Sequence, residues 1–324
     1  MIACGVCYSD LHAVDGDWNP GPTIPLIPGH EVVGRVVSFG TGVDRFDVGD
    51  LVGVPWLFTA CGQCELCLAG METICSGAEA TGYSQPGGYA EFMVADADFV
   101  AALPSTIDPA QVAPVLCAGV TTYRGLKRSG TRPGQWVAII GIGGLGHLAV
   151  QYAPAMGMRV VAVDVSSDKL DLARSLGAEV TIDAVDADPV GAVRTATGGV
   201  HGAVVCAVAS AAFEQAVGML RPAGTAVFIG MPGGDGDEIR MSIASMVNQE
   251  LTVRGSNVGT RFDLQEAVDF AVRGLVTTTI RTDVLDNIND ILDEMRAGRI
   301  VGRVVLRLEE FAHDGHRVPP NSNG

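Results

Sequence analysis

Basic residues are scarce in this chain, which carries 21 Lys and Arg against 37 Asp and Glu for a formal net charge of −16. Its pI is about 4.6. Proteins that bind nucleic acids or anionic membrane surfaces neutralise phosphates with clustered cations, and this composition offers few. We therefore expect no nucleic-acid partner, no membrane partner, and a small molecule as the ligand.

Long apolar runs are also missing. The apolar tracts near Trp136 and Gly202 are interrupted by Gly, His or polar residues well before the span of about 20 residues that a membrane helix needs. Residues 1–7 have neither the basic start nor the apolar core of a secretory leader. We expect a cytosolic location, where the eight cysteines stay reduced and suit metal ligation better than disulfides.

Glycine is abundant, with 42 among 324 residues, and the length suggests about two domains. Before Pro114, valine-rich pieces divided by turns predict short antiparallel strands, including 32–38, 87–94 and 99–103. After Pro114, apolar strands alternate with helices, which predicts a parallel sheet covered on both faces. The later strands are expected at 136–140, 159–164, 180–183, 202–208 and 225–230.

Four cysteines form the strongest local motif, with the spacing C-x2-C-x2-C-x7-C. They are Cys61, Cys64, Cys67 and Cys75. Four thiolates close together can enclose one tetrahedral Zn²⁺ and leave no position for water, which predicts a structural zinc site. The alternatives are an iron–sulfur cluster, although no proline follows the last cysteine, and redox dithiols, which explain only two thiols.

Two further cysteines, Cys7 and Cys117, can pair with His30 as a second metal site. Two cysteines and one histidine are a known ligand set for catalytic zinc, which keeps one position open. The remaining cysteines, Cys4 and Cys206, lie among apolar residues, and we interpret them as small buried side chains.

A glycine turn follows the strand at 136–140 and opens a helix, with the pattern GxGxxG. It consists of Gly141, Ile142, Gly143, Gly144, Leu145 and Gly146. The next apolar strand ends in Asp164, so the segment matches a dinucleotide-binding fingerprint in which the acid binds the ribose hydroxyls. Since Asp164 would repel a 2′-phosphate and no Arg follows it before Lys169, NAD is favoured over NADP.

Together these motifs resemble the zinc-dependent medium-chain alcohol dehydrogenases, in particular their bacterial propanol-preferring, yeast-type tetrameric branch. The matching pieces cover about residues 3–308 and include the following stretches: Gly5-Val-Cys7-x-Ser9-Asp10-Leu-His12, Pro28-Gly-His30-Glu31, the four-thiol loop, Leu116-Cys117-Ala-Gly-Val-Thr121-Thr-Tyr123, the glycine turn, Val258-Gly-Thr-Arg261 and Gly302-Arg303.

The resemblance implies an α/β fold, with a doubly wound Rossmann domain inserted in a β-rich GroES-like catalytic domain. The catalytic domain would comprise residues 1–117 and 261–308, with the structural zinc loop at 61–75. The NAD-binding domain would be 118–260, followed by a polar tail at 309–324. The resemblance also implies a homotetramer, or a homodimer, that interconverts primary alcohols and aldehydes with NAD and two zinc ions per chain.

Residue roles follow by position from the same resemblance. Cys7, His30 and Cys117 would hold the catalytic zinc, with Glu31 as an alternative ligand and Asp10 orienting His30. Further residues would relay the proton (Ser9, His12), contact the nicotinamide (Thr121, Gly230, Met231), bind the adenosine ribose (Lys169), bind the pyrophosphate (Arg303) and line the substrate pocket (Trp56). Trp56 could instead be an ordinary aromatic residue of the core. Asp164 could instead be a helix cap or a solvated acid at the end of a strand.

Two departures from the family pattern bear on activity. Tyr8 stands where a His or Arg usually helps to hold the pyrophosphate, which predicts weaker NAD binding. The chain also begins later than its family does, so we expect it to be N-terminally short, with uncovered strand edges. The rival hypotheses are therefore an inactive homologue that binds zinc and NAD, an NADP-dependent aryl or cinnamyl alcohol dehydrogenase, and a zinc-ribbon nucleic-acid binder.

Overall fold

Two six-stranded sheets organise the protein, and a computed structural model describes residues 1–233 and 238–308. The tail predicted at 309–324 lies outside the described residues. The strands are β1 Ala3–Val6, β2 Val32–Arg35, β3 Leu51–Val54, β4 Leu57–Thr59, β5 Glu79–Ala80, β6 Ala101–Ala102, β7 Trp136–Ile140, β8 Arg159–Asp164, β9 Val180–Asp183, β10 Val200–Val205, β11 Leu220–Phe228, β12 Thr252–Gly255, β13 Ile280–Asp283 and β14 Arg303–Arg307.

The helices pack around these sheets. They are α1 Tyr8–Asp15, α2 Glu65–Leu68, α3 Pro109–Val112, α4 Ala118–Ser129, α5 Gly146–Ala155, α6 Ser167–Ser175, α7 Pro189–Thr197, α8 Ser210–Met219, α9 Ile243–Asn248, α10 Arg261–Val272 and α11 Ile288–Arg296. Among the described helices, none combines the length and apolar content that crossing a bilayer requires.

The second sheet has the order β12-β11-β10-β7-β8-β9, and all its strands are parallel. Its central strands are apolar on both faces, and Val137, Ile139, Val160 and Val204 are completely buried because helices cover the sheet on each side. The strand order reverses between β7 and β10, where ligands bind in doubly wound folds. The glycine turn follows β7 directly, so it lies at this switch point.

The first sheet has the order β13-β14-β1-β2-β3-β6 and is antiparallel except for the β13–β14 pair. Strand β14 near the end of the described chain pairs with β1 near its start, for example Gly5 with Val305. The observed architecture confirms the predicted α/β class, with a Rossmann-like parallel sheet beside a GroES-like β-rich domain.

Several secondary-structure predictions were wrong in detail. The segment 87–94 forms no strand, because its backbone amides at Gly87, Gly88 and Tyr89 donate to carbonyls of the irregular loop at 27–29. The strand expected at 32–38 ends at Arg35, and the one expected at 99–103 shrinks to two residues. Helix α1 was not predicted, although Asp10 accepts the Cys7 amide at 2.9 Å as in a capping box.

Candidate functional site

Four potential metal ligands converge from three separate parts of the chain. Cys7 lies between β1 and α1, His30 and Glu31 directly precede β2, and Cys117 directly precedes α4. Their ligand atoms all lie within 4.8 Å of one another, and all four residues are buried. The structure therefore brings together the residues that the sequence assigned to a catalytic metal.

Asp10 fixes the orientation of the His30 ring. Its Oδ1 lies 2.9 Å from His30 Nδ1 and accepts the Gly29 amide at 3.0 Å, while its Oδ2 accepts from the Cys7 amide and the Tyr89 hydroxyl. The carboxylate is almost fully buried, and these donors satisfy it. Because Nδ1 bonds to Asp10, the other ring nitrogen, Nε2, is the one available to a ligand.

The buried groups of the cluster shift one another's pKa values. Hydrogen bonding from Cys117 lowers the pKa of the Cys7 thiol well below its usual value, whereas the same contact raises the pKa of Cys117. Burial opposes charge on His30, but Asp10 raises the pKa of that ring well above its usual value. Burial also raises the pKa of Glu31 to about 7, against the opposing charge of Arg303.

The donor set fits a zinc ion. Two sulfurs and an imidazole nitrogen are ligands that zinc accepts readily. Among the described residues, His30 Nε2 and Glu31 Oε2 are buried without a hydrogen-bond partner. A buried polar atom without a partner is costly, and coordination of a metal by His30 Nε2 would satisfy that atom, while a Glu31 carboxylate oxygen lies close enough to take its place at the metal when the fourth position is free.

The four-thiol loop forms a second cluster with the geometry of a closed site. Cys61 Sγ lies 3.9 Å from Cys67 Sγ and 3.5 Å from Cys75 Sγ, and Cys64 Sγ lies 3.7 Å from Cys75 Sγ. Four sulfurs at about 2.3 Å from a tetrahedral zinc would be separated by about 3.8 Å. The amide of Cys67 donates to Cys64 Sγ, and the amide of Gly77 donates to Cys75 Sγ.

The glycine turn is tightly constrained by the backbone. Gly141 has a φ of 89°, and a Cβ on Gly146 would lie 1.9 Å from the Gly141 carbonyl oxygen, so α5 can begin against the end of β7 only with glycine there. Asp164 at the end of β8 accepts the Ile142 amide at 2.6 Å. The predicted acid therefore lies beside the turn and also holds it in shape.

The other predicted cofactor residues lie on separate elements and differ in exposure. Thr121 is buried on α4, Lys169 is partly buried on α6, and Gly230 and Met231 follow β11, with Met231 exposed. Arg303 opens β14 and is buried.

Tyr8, which stands where the resemblance implies a cation, donates its hydroxyl to the Met295 carbonyl at 2.7 Å. Its side chain therefore tethers α1 to α11, because Met295 belongs to that helix.

Aromatic rings extend from the metal ligands to the predicted proton relay. Trp56 stands edge-on to His30 with ring centroids 4.8 Å apart, Tyr83 lies 5.8 Å from Trp56, and Trp18 lies 6.0 Å from Tyr83. Trp18 in turn stacks on His12 at 4.5 Å. Sequence reasoning found Trp56 but missed Trp18 and Tyr83, which are linked to the site only through the fold.

A cleft of about 940 Å³ lies elsewhere, between α4 and α10, and contains none of the predicted site residues. Three of the cations that line it are engaged in ion pairs, because Arg124 and Lys127 pair with Asp263 and Arg261 pairs with Glu72. We therefore assign the candidate active site to the buried cluster of Cys7, His30, Glu31 and Cys117 and to the glycine turn, which Arg303 links to it.

Comparisons with known proteins agree with this geometry. A family model described as "Alcohol dehydrogenase GroES-like domain" matches residues 1–105, and one described as "Zinc-binding dehydrogenase" matches residues 144–273. The chain is 53% identical to an alcohol dehydrogenase of Geobacillus stearothermophilus, covering 95% of this chain and 90% of that protein. It is 52% identical to one of Moraxella sp. (strain TAE123), covering 94% and 90%.

Solved structures give the same result. The crystal structure of the alcohol dehydrogenase from the hyperthermophilic archaeon Aeropyrum pernix superimposes with a TM-score of 0.87 at 36% identity, covering 95% of this chain and 90% of that one. A cinnamyl alcohol dehydrogenase of Sorghum bicolor superimposes with a TM-score of 0.86 at 31% identity, covering 94% and 88%.

Proposed function

Because the chain belongs to the zinc-type medium-chain alcohol dehydrogenase family, we propose that it interconverts primary alcohols and aldehydes by hydride transfer with zinc and NAD. The observation that carries the proposal is the buried cluster of Cys7, His30, Glu31 and Cys117. Arg303 connects this cluster to the glycine turn, because it contacts Glu31 and lies beside Gly144.

Cys7, His30 and Cys117 are proposed to hold the catalytic metal and to leave one position for the substrate oxygen. When bound, the zinc ion acts as a Lewis acid that lowers the pKa of an alcohol and polarises a carbonyl group. Asp10 keeps the His30 ring in the orientation and tautomer that ligation needs. Glu31 lies close enough to serve as an alternative ligand.

NAD is proposed to bind across the crevice of the parallel sheet and to supply the hydride acceptor. The turn at 141–146 offers backbone amides and the N-terminus of α5 to the pyrophosphate, and Arg303 adds a buried positive charge. Asp164 is proposed to bind the ribose hydroxyls and Lys169 to lie at the same ribose. Thr121, Gly230 and Met231 are proposed to contact the nicotinamide.

Ser9 and His12 are proposed to carry the alcohol proton to solvent, with the cofactor ribose between them. Both lie on α1, directly after the ligand Cys7. Ser9 Oγ accepts a contact from Cys7 Sγ at 3.9 Å, which supports a position at the metal. Trp56, edge-on to His30, is proposed to narrow the substrate pocket.

The remaining assignments extend the same proposal. Cys61, Cys64, Cys67 and Cys75 are proposed to hold a second, structural zinc ion, and their sulfur separations support this role. We propose the yeast-type, propanol-preferring branch, a homotetramer or homodimer, and a cytosolic location in which these thiols remain reduced.

Zinc counting with turnover tests the proposal. Wild type is expected to contain about two zinc ions per chain and to reduce NAD⁺ with short primary alcohols, measured at 340 nm. Cys117→Ser is expected to lose one zinc ion and the turnover, while Cys206→Ser is expected to keep both zinc ions and the turnover. A protein that holds two zinc ions but turns over no alcohol or aldehyde would be a homologue that only binds zinc and NAD.

The cofactor preference is tested separately. The likeness to a cinnamyl alcohol dehydrogenase makes an NADP-dependent aryl alcohol dehydrogenase the second candidate. We expect kcat/KM with NAD to exceed that with NADP, because Asp164, which is buried at the end of β8 and is proposed to bind the ribose, would repel a 2′-phosphate. A clear preference for NADP with cinnamyl alcohol would favour the second candidate instead.

A further inference from the structure

We propose that Asp17 is a positioning residue for His12, which it holds in the tautomer that leaves Nε2 able to accept a proton. This inference rests on the proposed function, in which His12 ends the proton relay. It assigns a role to a carboxylate that lies outside the metal cluster and beyond the end of α1.

The contact between the two side chains defines the tautomer. His12 Nδ1 lies 2.8 Å from Asp17 Oδ1 and 2.9 Å from Asp17 Oδ2. An ionised carboxylate only accepts hydrogen bonds, so Nδ1 must carry a proton, and this N–H donates to both Asp17 oxygens. In a neutral imidazole, Nε2 is then the acceptor, and among residues 1–233 and 238–308 it has no hydrogen-bond partner of its own.

The local backbone brings Asp17 back to the ring. Gly16 ends α1 in the left-handed conformation with a φ of 69°, and its amide donates to the His12 carbonyl at 2.9 Å. This turn reverses the chain so that Asp17 meets a side chain on the preceding helical turn. The next residue, Trp18, stacks on the His12 ring at 4.5 Å with an interplanar angle of 26°.

Gly233, which follows β11 in the chain, packs against the same pair. A Cβ on Gly233 would lie 2.4 Å from Asp17 Oδ2 and 2.8 Å from His12 Cε1, so the loop approaches this closely only because residue 233 is glycine. Gly233 follows the predicted nicotinamide contacts by two residues. The His12–Asp17 pair therefore lies beside a segment that the proposed function assigns to the nicotinamide.

Other charged and titratable groups near His12 do not replace Asp17. Asp15 is engaged by Arg296, with contacts of 2.5 and 3.1 Å. The Tyr8 ring centroid lies 6.2 Å from that of His12. Tyr83 is separated from the pair by Trp18, whose ring lies between them. Burial raises the pKa of the Tyr83 hydroxyl, and the charge of Asp17 adds to this effect.

The tautomer can be measured directly in the zinc-loaded full chain without cofactor. Long-range ¹H–¹⁵N correlation spectra distinguish a protonated ring nitrogen from an unprotonated one, and His12→Gln identifies the His12 signals by their loss. We expect Nδ1 to be protonated in wild type at pH 8. Asp17→Ala should shift His12 toward the tautomer protonated at Nε2. Asp17→Asn should largely keep the wild-type tautomer, because the asparagine amide oxygen can still accept a hydrogen bond from Nδ1.

Kinetics provide the second measurement. We expect Asp17→Ala to lower kcat for a primary alcohol about tenfold, as loss of a group that orients a functional histidine does elsewhere, with KM for the alcohol nearly unchanged. Asp17→Asn should recover most of that loss. Asp15→Asn is the matched control, since it removes a nearby charge that does not contact His12, and its kcat should stay within about twofold of wild type.

Each outcome separates this inference from the proposed function. Two results would overturn the role of Asp17 while leaving the dehydrogenase assignment intact. One is a wild-type His12 ring that is protonated at Nε2 and not at Nδ1. The other is an Asp17→Ala variant in which both the tautomer and kcat are unchanged. Absence of turnover in wild type would remove the proposed function instead, and the tautomer spectra would still decide whether Asp17 positions the ring.

Discussion

The Arg303 guanidinium donates to the Glu31 carboxylate at 2.5 Å inside the protein, although 272 positions separate the two residues in the chain. Arg303 is 5% exposed and Glu31 is fully buried. The other side of Arg303 faces the glycine turn, where a Cβ on Gly144 would lie 2.8 Å from Arg303 Cδ. One cation thus links a residue of the metal cluster to the backbone that is proposed to hold the pyrophosphate.

This arrangement predicts that Arg303→Gln will weaken NAD binding at least tenfold, because the crevice loses a buried charge for the pyrophosphate. It should also lower the free energy of unfolding by about 3 kcal/mol, because Glu31 is left buried without its partner. Fluorescence titration with NAD and urea unfolding of the zinc-loaded protein measure the two effects.

The double variant Arg303→Gln/Glu31→Gln is the control for the ion pair. It removes both charges and should recover part of the stability lost in Arg303→Gln, while NAD binding stays weak. Equal destabilisation in the single and double variants would show that the pair does not account for the loss.

Two glycines of the same turn are predicted to respond differently to alanine. A Cβ on Gly143 meets no heavy atom within 4 Å, whereas one on Gly146 would lie 1.9 Å from the Gly141 carbonyl oxygen. Gly143→Ala should therefore fold with nearly normal stability and lose NAD affinity, because the methyl group occupies the path of the pyrophosphate.

Gly146→Ala is the contrasting variant, and we expect it to lose about 1–3 kcal/mol of stability through overpacking. Thermal unfolding without cofactor and NAD titration separate the two effects. Normal NAD binding by Gly143→Ala would contradict the proposed position of the cofactor.

Trp56 is predicted to limit the size of the substrate. Its ring lies edge-on to the ligand His30 at 4.8 Å, next to the proposed substrate position. Trp56→Ala should raise the ratio of kcat/KM for hexanol to that for ethanol by tenfold or more, since extra apolar contacts in a pocket contribute about 1–3 kcal/mol. Trp136→Phe, which alters a tryptophan beside Arg159, is the control and should leave the ratio unchanged.

The clustering of potential metal ligands and the position of the glycine turn could be predicted because they depend on residue type and local spacing. The spacing of Cys61 and Cys64 predicts a zinc loop without any knowledge of the fold, and strand–helix alternation predicts the parallel sheet that the structure has. The contacts of Asp17 and Trp18 with His12 could not be predicted in this way. They depend on the turn at Gly16, whose conformation the sequence pattern did not identify.

Long-range contacts were the harder part of the site. Asp10 accepts a hydrogen bond from the Tyr89 hydroxyl, 79 positions away, and Arg303 donates to Glu31, 272 positions away. No local pattern encodes such pairs, because each depends on how separate elements pack. The missing strand at 87–94 has the same origin, since alternation of apolar residues cannot supply the neighbouring strand that a sheet requires.

His147 joins the glycine turn to the start of β13 and is predicted to make stability depend on pH. The ring is fully buried; Nδ1 lies 3.1 Å from the Gly143 carbonyl oxygen, and Nε2 lies 3.3 Å from the Thr279 amide nitrogen, which donates to it. Burial lowers the pKa of His147 to about 4 from its usual value of 6.5, and the nearby Arg303 charge contributes. The folded protein therefore keeps this ring neutral at pH values where the unfolded chain protonates it.

The direction of the effect follows from proton binding. Between about pH 6.5 and pH 4 the unfolded state binds the proton and the folded state does not, so stability falls as pH falls through this window. Above pH 6.5 the ring contributes no pH dependence. Lowering the pH from 7 to 5 should cost wild type about 2 kcal/mol more than His147→Gln, which cannot titrate.

Urea unfolding of the zinc-loaded protein at pH 7 and pH 5 measures this difference. The other titratable groups are the same in both proteins, so only the wild-type-minus-variant difference reports on His147. His201→Gln replaces a more exposed histidine and should change the pH dependence much less. If wild type and His147→Gln lose the same stability between the two pH values, the buried ring is not held neutral and the contact with Thr279 does not form as described.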